Sequence, residues 1–389
     1  MKKRSGLYSS AGLASGLMFA SIAAVSAQDV KDINVALILP QSGSVMVNVD
    51  PAVKSIRMAL DEVNAKGIMV GGQKYNFNVS WFDEECKPQV AINATRAALS
   101  QVKPLHVVWT GMCSSSALAT APILRESKAV VINSVSGTAG FAGPEGNPYL
   151  FKIKEEFDWR SRDLTKYLAA KGLKNGVIIA VNSDWGEESS RTFKKYAAQN
   201  GLNIVQTLNY DEQTEEFVSL LAQARQAKAD FIFQASQLLN EQVAFLRAYR
   251  QLGLKIQLAG ESTWTEDVPE KAGWDTIDGM LTAGAWVPSD TRPAVVEYLK
   301  KYRGAFKVPP GFNGPPSYDL VHMTATAFEK AGSLDSEKLR EVVRNTTFNG
   351  LVYGNGTIKF NSGGQAEFPV SVTVFDAKQK LRVLAPPAK

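Results

Sequence analysis

Short β-branched runs alternate with segments of helical period along most of this chain, and no other feature restricts its fold as much. Residues 33–39 read as a buried-strand run closed by Pro40-Gln41-Ser42-Gly43, and 51–65 then place Val53, Ile56, Ala59, Leu60 and Val63 on one helical stripe. In the next strand, 75–82, Tyr75, Phe77, Val79 and Trp81 alternate with Asn76, Asn78 and Ser80, which predicts one well-buried face. A helix over 87–102 comes next. Strands at 106–110, 129–132, 176–181, 204–208, 230–234 and 256–259 continue the series, with helices near 115–127, 157–171, 187–200, 214–228 and 239–252 between them. Strand, polar turn and helix repeated in this order predict parallel βαβ units, and parallel sheets bind ligands just beyond the carboxyl ends of their strands.

The first 27 residues read as a secretory leader: Met1, Lys2, Lys3 and Arg4, an apolar stretch over 7–25, then Val25-Ser26-Ala27. The remainder of the 389-residue chain is long enough for two domains of ~100–200 residues each. A composition of 45% hydrophobic and 21% charged residues with only two cysteines excludes disordered, collagen-like and disulfide-scaffold classes. The formal net charge of +5 includes Lys2, Lys3 and Arg4 of the leader, so the mature chain carries nothing that demands nucleic acid or an anionic membrane surface. Past the leader no run reaches the ~18 apolar residues of a spanning helix. The loop 136–147, with Gly137, Gly140, Gly143, Pro144 and Gly146, is the first strong break, and 149–153 reads as a crossover into a second domain. In an oxidising compartment Cys86 and Cys113 read as one disulfide; no C-x-x-C supports a metal site.

Catalytic signatures are missing. The sequence has no G-x-x-x-x-G-K-[ST], no G-x-G-x-x-G after its first strand, no H-E-x-x-H and no G-x-S-x-G. Its two histidines, His106 and His322, sit in a strand and a helical pattern, without a nucleophile and an acid converging on either. The one S-x-x-K, Ser100 to Lys103, lacks its usual companions and falls at a helix end. Gly67, Gly71 and Gly72 with Ile68, Met69 and Val70 read as a plain helix-to-strand connection.

The strand ends are polar instead. Thr110-Gly111-Met112-Cys113-Ser114-Ser115-Ser116 stands after a buried strand and before a helix, where hydroxyls and free backbone N–H groups suit a carboxylate; one serine acting as N-cap is the plainer alternative. Asn133-Ser134-Val135-Ser136-Gly137-Thr138 stands after the next strand, and in a parallel sheet two such turns converge. In the second half, Asn182-Ser183-Asp184-Trp185-Gly186, Ala235-Ser236-Gln237 and Gly260-Glu261-Ser262-Thr263-Trp264 occupy equivalent positions. Trp185 and Trp264 fit either a ligand platform or core packing.

Residues 33–43 with their helix, Asp83-Glu84-Glu85-Cys86-Lys87-Pro88-Gln89-Val90-Ala91, Gly111 to Ser116, and Asp184-Trp185-Gly186-Glu187 together resemble the periplasmic leucine/isoleucine/valine-type binding proteins, the solute receptors of branched-chain amino acid ABC importers. The resemblance implies a type I periplasmic-binding-protein fold, α/β, with two lobes that each carry a mainly parallel sheet flanked by helices. Three crossover segments join them, with lobe one over 28–152 and 286–356 and lobe two over 153–285 and 357–389. It also implies a non-enzymatic, periplasmic monomer without cofactor or metal, binding a small carboxylate and handing it to importer membrane subunits; an enzyme or a ligand sensor on the same fold is the rival reading. By position, Ser114 with Ser115 would hold the carboxylate, aided by Val135, Ser136 and Thr138, while Trp185 stands on the closing lobe, Gln237 or Leu238 falls where another aromatic is usual, and Asn48 lines the side-chain pocket. Glu261 stands one position from the acid that pairs with a ligand ammonium in that family. The ligand is therefore an amino acid if Glu261 reaches the pocket, and otherwise an aromatic acid or an amide, with Arg160 as an added partner for an acid.

Overall fold

The computed structural model of the protein describes residues 29–389 except Ser44, Met112, Gly140, 142–146 and Lys389, together with Met1 and Gly6. The expected leader apart from Met1 and Gly6, and Gly140, Gly143, Pro144 and Gly146 of the expected break, lie outside the described residues. The first half runs β1 (Lys31–Ile38), α1 (Met46–Lys66), β2 (Ile68–Val70), β3 (Gln73–Phe82), α2 (Pro88–Gln101), β4 (Val107–Thr110), α3 (Ser114–Ser127), β5 (Val131–Asn133) and β6 (Leu150–Lys152). These strands form one sheet in the order β2-β3-β1-β4-β5-β6, parallel apart from β2.

The continuous apolar strands result from burial on both faces. Ile33, Val35 and Leu37 of β1 point into one core, while Ala36 and Ile38 point into another on the opposite side. β3 is different: Phe77 is buried, Tyr75, Val79 and Trp81 pack partly against the first core, and Asn78 and Ser80 are exposed. The expected plain connection at Gly67 to Gly72 is instead a hairpin. Ile68 pairs with Tyr75 and Val70 with Gln73, and Gly71 and Gly72 take positive φ of 57° and 86°. Two consecutive glycines with φ above zero make the two-residue turn whose twist matches the strands, and Ile68 and Val70 gain burial by pairing.

The chain then crosses into a second sheet through α4 (Phe157–Ala170), β7 (Asn175–Val181), α5 (Asp184–Gln199), β8 (Asn203–Tyr210), α6 (Val218–Gln226), β9 (Phe231–Ala235), α7 (Leu239–Gln251), β10 (Gln257–Gly260), α8 (Asp267–Ala272) and β11 (Leu281–Gly284). Val177, Ile179 and Val181 face one core and Ile178 and Ala180 the other, the same two-sided burial. It crosses back to α9 (Pro293–Phe306), α10 (Gly314–Ala331) and α11 (Ser336–Asn345), whose Val295, Tyr298, Leu320, Phe328 and Leu339 lie in the first core. Trp109 on β4 donates to Thr324 Oγ1 on α10 at 3.1 Å, tying that helix to the first sheet.

After β12 (Phe348–Asn349) and β13 (Thr357–Ile358), a third crossing leads to β14 (Ser371–Asp376) and β15 (Leu381–Leu384), antiparallel additions to the second sheet, ordered β15-β14-β11-β10-β9-β7-β8. This last crossing falls later than the expected 356/357 boundary: Ile358, Phe360 and Ala366 are buried in the first core, and Lys152 bridges to Gln365. Among the described residues no helix is long and apolar enough to cross a membrane.

Candidate functional site

The disulfide expected between Cys86 and Cys113 is present, with Cα atoms 5.4 Å apart, and it fixes the residue that begins α3. Cys113 is the N-cap of that helix and supplies no side-chain cap bond, so none of the three serines is spent on capping. Ser114 is buried and Ser115 half-buried, and neither hydroxyl has a hydrogen-bond partner among the described residues. Ser116 Oγ is fully buried and unpartnered. A helix N-terminus with unspent hydroxyls leaves both dipole and donors available to an anion.

The turn after β5 is built differently from the sequence expectation. Asn133 Oδ1 accepts the backbone N–H groups of Val135 (3.0 Å) and Ser136 (2.9 Å), and Ser136 Oγ accepts that of Thr138 at 3.3 Å. Those amides are therefore used within the turn, and the Val135 side chain packs in the first core. What the turn presents is the Ser136 and Thr138 hydroxyls flanking Gly137. Lys152 Nζ donates to the Thr138 carbonyl at 2.6 Å, and Glu188 on α5 reaches the Thr138 hydroxyl and the Ala139 N–H, joining the two sheets' elements. Burial pushes the Glu188 carboxyl above its ordinary value despite those bonds.

Arg160 on α4 is the hub. Its Nε donates to Glu261 Oε2 at 2.8 Å, its Nη1 lies 3.4 Å from Glu155 Oε1, and its guanidinium stacks over the Phe157 ring at 4.5 Å. Trp185 packs edge-on against the same Phe157, with centroids 5.6 Å apart, so the half-buried indole joins this group. Nη2 of Arg160 has no hydrogen-bond partner among the described residues and lies at Gly137, where an added Cβ would come within 3.5 Å of it. A guanidinium edge thus lies unspent against Gly137. Burial alone would lower the Arg160 pKa, but the charges of Glu261 and Glu155 more than offset it.

Glu261 does sit at the site, one residue past β10, yet it is not free. Oε2 takes Arg160 and Oε1 accepts the Ser189 hydroxyl at 2.6 Å. Glu155 is held likewise by Lys154 (3.7 Å), Arg160 and the Tyr353 hydroxyl. Burial would raise the Glu155 carboxyl, but Lys154 and Arg160 hold it below its ordinary value; burial pulls Lys154 down to about 8. Lys154, Glu155, Arg160 and Glu261 therefore form a buried chain of alternating charge between the first crossing and the end of β10.

Asn48 and Gln237 meet each other rather than this chain: the Asn48 amide donates to the Gln237 carbonyl, and Asn313 donates to the Asn48 carbonyl at 3.1 Å. Ser183, Ser236 and Thr263 are spent on α5 capping, on Glu241 and on the Ser236 carbonyl. Trp264 is core, fully buried with Nε1 on Gln234 Oε1 at 3.1 Å. His106 Nδ1 accepts the Asn34 N–H at 2.8 Å and His322 Nε2 lies 3.2 Å from Glu62, both in structural settings. Ser100 and Lys103 bond only to carbonyls of their own helix. Among the described residues no group of His, Cys, Asp and Glu is placed to hold a metal.

Sequence reasoning missed Phe157, Glu155, Lys154, Ser189, Tyr353 and the buried residue Ser262. The available signal was the charged run Lys152-Ile153-Lys154-Glu155-Glu156 at a crossing, where five residues carry four charges directly after a buried strand.

Two α/β sheets joined by three crossings, with polar strand ends drawn together between them, define a two-lobed ligand-binding protein. The family model described as Periplasmic binding protein matches residues 32–380, and the chain belongs to that family. It is 25% identical over 325 residues to the leucine-, isoleucine-, valine-, threonine- and alanine-binding protein of Pseudomonas aeruginosa, covering 81% of this chain and 83% of that one. A leucine binding protein from Thermotoga maritima has a similar structure, with TM-score 0.79 at 20% identity over 91% of this chain and 98% of that one. So does an ABC transporter solute binding protein from R. palustris in complex with benzoate, with TM-score 0.80 at 21% identity, covering 92% and 97%. These likenesses agree with the fold reached from the strand pattern.

Proposed function

We propose that this protein is the extracytoplasmic receptor of an ABC importer, trapping a small carboxylate between its two lobes without transforming it. What supports this reading is a set of donors without a partner among the described residues, Ser114 and Ser115 at the start of α3 and Arg160 Nη2 beside Gly137, with Ser114 and Gly137 each standing shortly after one of two neighbouring parallel strands. The named relatives, which bind leucine and related amino acids or benzoate, support a small carboxylate as the ligand class. Ligand bridging both lobes favours the closed form by its differential affinity, and that form is the one an importer would select. The lobes are proposed as 28–152 with the segment from 286, and 153–285 with the chain end, the last junction lying after Ala366. Export through cleavage after Ala27, a monomeric state and the lack of a nucleic-acid partner belong to the same proposal.

A thermal-shift screen of unfolded-and-refolded protein over amino acids, aromatic acids and amides tests it. A ligand present at 100 times its dissociation constant adds ~2.7 kcal/mol of stability, and Ser114→Ala should reduce that gain. No shift from any small carboxylate, or turnover of one, would overturn the proposal.

A further inference from the structure

Building on the receptor function just proposed, we propose that the ligand is a carboxylate carrying no ammonium group. Arg160 receives the anion through its unspent Nη2, and Glu261, already neutralised by Arg160, gives no anchorage to a cation.

The site's balance of donors and acceptors is lopsided. Three carboxylates belong to the cluster and each is engaged. Glu261 has Arg160 at 2.8 Å and Ser189 at 2.6 Å, Glu155 has Arg160, Lys154 and Tyr353, and Glu188 has the Thr138 hydroxyl and the Ala139 N–H. An ammonium entering beside Gly137 would meet a guanidinium before any free anion, and like charges in a site this buried repel strongly. Among the described residues the unspent buried amide oxygens are Asn313 Oδ1, whose residue bonds the Asn48 carbonyl, and Gln365 Oε1, whose residue bonds the Lys154 carbonyl; both are neutral and cannot compensate a full positive charge. The donors are the reverse case. Nη2 and the hydroxyls of Ser114, Ser115 and Ser262 have no partner among the described residues, and an anion is the ligand that satisfies a guanidinium edge together with hydroxyls and a helix N-terminus. Phe157 and Trp185, packed edge to face next to that guanidinium, supply an apolar and aromatic wall for the rest of the molecule.

The test uses the full mature chain, stripped of bound ligand, and titration calorimetry with ligand pairs that differ only in the amine: L-leucine against 4-methylpentanoate, and L-phenylalanine against 3-phenylpropanoate, with benzoate and benzamide beside them. At least one amine-free acid should bind tenfold or more tighter than its amino acid, about 1.4 kcal/mol, and benzoate should outbind benzamide by a similar factor. Tighter binding of the amino acids, or of the amide, overturns this inference and leaves the receptor function standing. Binding of no carboxylate in a wide panel removes both. A second arm uses Glu261→Gln, which keeps the side-chain shape and frees the Arg160 charge: its affinity for the amine-free acid should rise about threefold or more, and an unchanged or weakened affinity in a folded variant overturns the role assigned to the pair.

Discussion

Replacing Arg160 by methionine tests the buried charge chain that the site is built on. At 2.8 Å the Arg160–Glu261 attraction is about 6 kcal/mol at an effective dielectric constant of about 20, and removing one partner of a buried pair usually costs ~3–5 kcal/mol after relaxation. Arg160→Met keeps the apolar contact with Phe157 but strands Glu261 with Ser189 alone, and leaves Glu155 to Lys154 and Tyr353. Urea unfolding should therefore show a loss of about 3–5 kcal/mol. Arg160→Met with Glu261→Gln should recover roughly 2 kcal/mol of it, because the second change removes the stranded charge, and the cycle isolates the coupling. A single-variant loss below about 1 kcal/mol, or additivity within about 0.5 kcal/mol, would refute the claim that the pair is a buried and coupled unit.

Serine at both Cys86 and Cys113 opens a loop of 27 residues; chain entropy puts the loss at about 3.6 kcal/mol, read from the urea midpoint, and ligand affinity should fall as well because Cys113 sets the start of α3. Gly137→Ala meets only ordinary contacts at 3.4–3.5 Å from Phe157, Arg160 and Glu155, so the fold should lose less than about 1 kcal/mol. Ligand affinity should nonetheless drop tenfold or more in calorimetry, as the methyl covers Nη2. Asp267, whose carboxyl burial and neighbouring Glu266 push up to about 6, carries stability that is present at low pH and lost as pH rises through that value. Asp267→Asn should accordingly stabilise by about 1–2 kcal/mol at pH 8 after discounting for its partial exposure, with the gain gone near pH 4 in denaturant titrations.

The strands were legible because burial on both faces leaves an unbroken apolar run, as in Val35 to Leu39 and Val177 to Val181. The disulfide was legible from the secretory context and from having two cysteines only. The hairpin at Ile68 to Val70 was not, since three residues carry too little period to separate a strand from a link, although Gly71-Gly72 was the turn signal. At the site, sequence marked Ser114, the Ser136–Thr138 turn, Arg160 and Glu261 one by one through their places after strands and crossings. It did not reveal that Arg160 and Glu261, 101 residues apart, neutralise each other, or that Asn48 and Gln237, 189 apart, join across the lobes. The first pairing depends on how α4 packs on the second sheet and the second on how the two sheets come together, and local pattern carries no record of either. Val135 and Trp264 could not be assigned from sequence for a related reason: an apolar residue at a strand end serves core and pocket equally well, and here both side chains pack in a core.

The most direct measurement is the electron density of the ligand in a cocrystal grown with the tightest-binding carboxylate from the screen. A carboxylate held by Arg160 Nη2 and the Ser114 hydroxyl, with its remainder against Phe157 and Trp185, is the predicted result. Density elsewhere on the protein, with the space beside Gly137 filled by the chain's own side chains, would contradict it.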